Sequence, residues 1–130
     1  MASWVSMTIA CKLYSKSGVW AIEENIVIPK GYKMTVSPGS QLILNKGAAI
    51  ISYGSVQLNG TFQMPVVLKS TDGSGQGLVV ISADNQSKLS HVIFENLTSL
   101  ASKSWNLTGA VTFYESKLEI DNVKFIYWLI

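Results

Sequence analysis

From Asn25 to Ser70 the chain reads NIVIPKGYKMTVSPGSQLILNKGAAIISYGSVQLNGTFQMPVVLKS, and no interval in it is long enough for an ordinary helix. A unit of two apolar residues separated by one other residue recurs, closed each time by a turn signal: Pro29-Lys30-Gly31, Ser37-Pro38-Gly39, Asn45-Lys46-Gly47, Tyr53-Gly54-Ser55 and Asn59-Gly60. Glycine supplies positive φ, proline presets φ, and asparagine tolerates the left-handed region, so such clusters reverse the chain. The alternation between them has the period of a half-buried strand. Strands this short cannot bury an apolar face alone, so the units must stack on one another.

The apolar pairs sort into three columns. The first is Ile26/Ile28, Ile50/Ser52, Val79/Ile81 and Val111/Phe113; the second is Met34/Val36, Val56/Leu58, the single Leu89, and Leu118/Ile120. The third is Leu42/Leu44, Val66/Leu68, Val92/Phe94 and Val123/Phe125. Early members of a column lie about 22–24 residues apart, the period of a solenoid, and later ones about 31. The extra length is expected at one corner, in 45–49, 69–78 and 95–110, and inserts at one register map to one face. His91 in KLSHVIF matches Asn122 in EIDNVKF and is read as a turn residue.

This spacing predicts an all-β chain, a parallel β-helix (solenoid) of about four to five coils spanning residues 25–125. Residues 1–24 are expected to form an N-terminal cap. Val5, Met7, Ile9, Cys11 and Leu13 alternate as in a strand, Val5, Ile9 and Leu13 also fit a helical face, and Val19, Trp20 and Ile22 suit a partial coil. Residues 126–130, ending in Tyr127, Trp128, Leu129 and Ile130, are either an apolar cap or a truncated edge. Two outward stripes are expected to be apolar through three coils: Val27, Ile51 and Val80 in one, Ile43, Val67 and Ile93 in the other. Exposed stripes of that size call for a cover by the N-terminal segment, a long loop or a second chain, and self-association is expected through them or through Trp128, Leu129 and Ile130.

The run MTVSPGSQLIL, GAAIISYGSVQLNGT and PVVLKS resembles coils of secreted bacterial right-handed β-helix proteins. SKLSHVIFENL and LTGAVTFYES are similar to β-helix repeat regions of large surface proteins, including those that accompany CotH-like kinase modules. The resemblance covers about residues 18–125 and implies a right-handed helix in a secreted or surface protein. It implies no single activity, because the architecture serves lyases, hydrolases, tailspikes and spacers alike. The first 17 residues and the last five depart from it, and the start of the chain lacks the pattern of a signal peptide.

The residues supply little catalytic material. Enzymes that cleave polysaccharides on this scaffold gather carboxylates on neighbouring coils. The eight acids here form no stacked pair, so no catalytic residue is assigned. All ten cationic residues are lysine, which disfavours bidentate recognition of acidic sugars. A net charge of +2 with scattered lysines is no nucleic-acid footprint, and no apolar run is long enough for a membrane span. With a single cysteine and no cluster of ligands, neither a metal nor a cofactor is expected. TDGSGQG at 71–77 lacks the lysine and helix of a phosphate loop and is read as a corner. The leading expectation is a non-enzymatic structural or interaction module. The alternative is a module that binds or cleaves polysaccharide through loops 69–78 and 95–110, with Trp105, Lys103, Asn106, Asp72 and Glu95 as candidate ligand residues.

Overall fold

The computed structural model describes residues 8–9, 12–15, 18–98 and 111–126, with side chains described for 18–98 and 111–126. Thirteen strands and no helix occur among them. They are β1 (Thr8–Ile9), β2 (Lys12–Ser15), β3 (Val19–Ile22), β4 (Ile26–Ile28), β5 (Lys33–Val36), β6 (Gln41–Leu44) and β7 (Ala49–Ser52). β8 (Val56–Asn59), β9 (Val66–Lys69), β10 (Gly77–Ile81), β11 (Ser87–Glu95), β12 (Val111–Tyr114) and β13 (Leu118–Ile126) complete the order.

A four-stranded sheet runs β12-β10-β7-β4, and a nine-stranded sheet runs β1-β2-β5-β8-β11-β9-β6-β3 with β13 on β11. Every pairing is parallel except that of β1 with β2. Partners recur along the chain, from Leu13 beside Met34, 21 residues apart, to Leu78 beside Val111, 33 residues apart. The nine-stranded sheet is curled. Ser90 of β11 pairs with Asn59 of β8, and two residues later Val92 pairs with Val66 of β9, so one strand serves two faces. This architecture, parallel strands in curled sheets around one core, is compatible with a β-solenoid.

The chain turns where side chains sit in the left-handed region. His91 (φ 48°) bends β11 and Asn122 (φ 60°) bends β13 at the same register, as their matching sequence contexts predict. Ser82 (φ 50°) and Glu115 (φ 47°) mark a second corner, and Lys46 (φ 56°) and Asn96 (φ 57°) a third. His91 and Asn122, which lie within strands, each reverse the in–out parity of the strand they interrupt. That is why Leu118 and Ile120 before Asn122, and Val123 and Phe125 after it, all lie beside inward residues of β11.

The main core cluster includes Ile22, Ile28, Met34, Leu42, Leu44, Ile50, Leu58, Leu68, Leu78, Leu89 and Phe94. Burial of each such side chain contributes about 1.5–3 kcal/mol. Serines also point inward. Ser87 Oγ accepts from the Val56 N–H at 2.9 Å, and Ser52 Oγ donates to the Gly54 carbonyl at 2.6 Å while accepting its N–H at 3.2 Å. Hydroxyls so engaged can be buried without leaving an unsatisfied group.

Three expectations are corrected here. In β10 the inward pair is Leu78 and Val80, aligned with Ile50 and Ser52, not Val79 and Ile81. Val80 is therefore a core residue at 0% exposure and not a surface one. Val79 faces the other way, level with Ile51, where it packs with Ala49, Ile51 and Ile81 in a small second cluster. A slip of one residue exchanges the two faces of a strand.

In the third column Leu42 lies beside Leu68, not Val66, a shift of two residues that keeps every face but moves every neighbour. Ile43 then lies beside Lys69, and Val67 between Gln41 and Ile93. The second apolar stripe is broken by a lysine and a glutamine.

Extra length also occurs at a second corner. Between Asn59 and Val66 the chain spends residues 60–65 where β11 spends His91 alone.

Candidate functional site

The insert corner is built from hydrogen bonds among its own loops. Asn45 Oδ1 accepts the N–H groups of Thr71 (2.9 Å) and Asp72 (3.2 Å), and Asn45 Nδ2 donates to Thr71 Oγ1 at 2.7 Å. Asp72 Oδ1 accepts from Ser74 Oγ at 2.6 Å and from the Ser74 N–H at 2.8 Å, and Oδ2 accepts the Lys46 N–H at 3.0 Å. Ser70 Oγ accepts the N–H groups of Gly73 and Gly75, both at 3.0 Å. Asn96 Nδ2 donates to the Ser70 carbonyl at 2.9 Å. The Ser74 hydroxyl first, then the Lys46 and Ser74 N–H groups, hold the Asp72 carboxyl well below the usual carboxylate range. Both of its oxygens are occupied, Oδ1 within its own loop and Oδ2 across to the loop of Lys46, which suits a clamp better than an acid or a ligand.

Of the candidate ligand residues, Asp72 lies in this clamp and Glu95 ends β11 beside Lys69, with its carbonyl accepting the Ser70 N–H at 3.1 Å. Lys103, Trp105 and Asn106 lie outside the described residues. The remaining acids are spread over the fold. Glu23 pairs with Lys46 at 3.2 Å, Asp84 with Lys30 at 3.1 Å and Glu119 with Lys88 at 3.8 Å. Among the described residues no group of three or more His, Cys, Asp or Glu side chains is gathered as a metal would require. No helix there is long and apolar enough to cross a membrane.

Of the candidate interface residues, Val27 is 54% exposed, and Ile43, Ile51, Val67 and Ile93 are half-buried. Trp128, Leu129 and Ile130 lie outside the described residues. The sequence reading missed the loop between β8 and β9, where Phe62 is 86% exposed and Met64 also projects. Phe62 borders a groove of about 160 Å³ shared with His91, Asn122 and Lys124. That is smaller than the roughly 300–1,000 Å³ of a small-molecule site.

The largest departure from a closed core is at the last strands. Among the described strands β12 pairs only with β10 and β13 only with β11, as β4 pairs only with β7 and β3 only with β6 at the other end. Ile120 lies beside buried Leu89, and Phe125 beside buried Phe94, yet they are 59% and 51% exposed. Inward-facing side chains that stay in water mark the open end of a core. A strand edge that no other described strand pairs with presents main-chain donors and acceptors to a partner.

No family model, curated protein or solved structure matches this chain.

Proposed function

We propose that the chain is a right-handed parallel β-helix of four to five coils. It acts as a non-enzymatic structural and interaction module of a secreted or surface protein, and it self-associates. The recurrent parallel pairings and the core they enclose support the architecture. The observation that carries the functional reading is the end formed by β12 and β13, where Ile120 and Phe125 remain exposed and each strand pairs on one side only among the described strands. The mechanism is geometric. Strands stacked at about 4.8 Å form a stiff post, and its open end holds a partner by main-chain pairing and apolar contact. The clamped state of Asp72 and the dispersed acids favour this reading over polysaccharide cleavage.

Light scattering on a sizing column, over a hundredfold range of concentration, tests it. A discrete assembly with a concentration-dependent dissociation is expected. A monomer throughout, together with measurable binding of polysaccharide, would transfer the role to the insert corner.

A further inference from the structure

The two ends of the strand stack differ. At the first, β1 turns back antiparallel onto β2, with Thr8 beside Leu13 and Ile9 beside Lys12, and occupies the edge of β2. At the last, β13 pairs only with β11 among the described strands and carries exposed Ile120 and Phe125. Head-to-tail stacking would bring the first arm of β13 against β1, and its second arm and β12 against β3 and β4, which pair on one side only among the described strands. An open end can still meet another open end.

The sequence of β13 is suited to that meeting. Read around its bend between Asp121 and Asn122, LEIDNVKFI is close to its own mirror in chemistry. A two-fold axis through the bend sets Leu118 opposite Phe125, Glu119 opposite Lys124 and Ile120 opposite Val123. The bend at Asn122 makes this register coherent. Leu118, Ile120, Val123 and Phe125 are the four residues beside inward positions of β11, while Glu119 and Lys124 lie beside outward Lys88 and Ile93. Directly opposed residues of an antiparallel pair share a face, so apolar residues meet in the core and opposite charges meet outside. β12 behaves likewise: reversed about Thr112, it sets Val111 opposite Phe113, both of which pack against the core.

We infer that two copies of this chain join tail to tail through antiparallel pairing of β13 with its symmetry mate, in the register that sets Glu119 against Lys124 of the second copy. The inference rests on the proposed self-association and specifies its surface. A two-fold contact of this kind is closed, with the same patch used by both copies. Main-chain bonds supply the pairing and the four apolar residues on each side continue the core. The charges select the register against slips that would oppose Glu119 to Asp121 or leave Lys124 unpaired.

A charge exchange in the full chain tests this, read by sedimentation equilibrium with circular dichroism to verify folding. Glu119→Lys and Lys124→Glu alone each place like charges at two symmetric positions, and each is expected to weaken the dimer about tenfold. The double variant Glu119→Lys/Lys124→Glu restores opposite charges across the axis and is expected to return the dimer to near its original strength. It also keeps the lost contact of residue 119 with Lys88, so recovery reports the intermolecular pair. A dimer indifferent to all three variants would overturn this surface while leaving self-association intact. Open-ended oligomers would overturn the two-fold geometry in favour of head-to-tail stacking. A wild-type monomer at every concentration would remove the inference and the self-association beneath it together.

Discussion

Phe94 and Phe125 stack with ring centroids 5.2 Å apart and planes 18° from parallel, one ring 2% exposed and the other half in water. The pair marks the boundary at which the core stops being enclosed. Phe125→Ala removes one stacked ring and one of the four apolar residues of the β13 edge. Thermal unfolding of a dilute sample is expected to show a loss of about 1–2 kcal/mol, less than a fully buried phenylalanine would cost. The assembly should weaken in the same variant by more than the monomer does.

The assignment of β10 is decided by two substitutions on the first sheet. Val80→Asp buries a carboxylate among core aliphatics and is expected to cost more than about 3 kcal/mol or to prevent folding. Val27→Lys, on the outward face and already exposed, should stay within about 0.5 kcal/mol of the parent. Urea titration of both proteins checks this, and equal tolerance would mean that the faces are reversed.

Gly54 is needed for space. A Cβ built there would fall on the carbonyl oxygen of Tyr32, and the Pro29 carbonyl stands 3.5 Å away. Backbone cannot yield as a side-chain tip can. Gly54→Ala is expected to destabilise by about 1–3 kcal/mol, the range for overpacking, seen as a lower urea midpoint at unchanged slope.

Asp72 gives the corner a signature in acid. Its folded-state pKa is depressed, so its contribution is complete above the unfolded value of about 3.9 and is lost as pH falls towards the folded value. Asp72→Asn presents an amide donor to the N–H groups of Lys46 or Ser74. At pH 7 the variant should melt below the parent, and the gap should narrow between pH 5 and pH 2. A gap independent of pH would mean that the carboxylate charge contributes nothing.

Much of the architecture was legible because the early alternations have a phase. Ile26/Ile28, Met34/Val36 and Val56/Leu58 each place a polar or exposed residue between two buried ones, and all three pairs are inward. The phase is lost in GLVVI, where four successive apolar residues fit either parity and only the partner strand decides. The third column misled for a different reason. Ser40 and Ser70 occupy inward, fully buried positions level with Val66 and Leu44, but serine at the edge of a turn cluster reads as part of the turn, so by pattern one pair begins two residues late and the next ends two residues early. The open end was visible only in part. The sequence placed exposure at the terminal residues, whereas the structure adds Ile120 and Phe125, which by pattern alone are ordinary core positions.

The continuity of β11 through His91 has a consequence for how this chain can change length. Between β8 and β9 the six residues from Gly60 to Pro65 form slack, and a residue gained or lost there leaves both flanking strands where they were. At His91 there is none. One residue added at that point would rotate Val92 and Phe94 out of the core and set Ile93 and Glu95 in their place, and the change would pass to β13. The corner between β8 and β9 therefore accommodates insertions and the bends at His91 and Asn122 do not, so new loops can be acquired beside Phe62 but not at the equivalent bends that follow it.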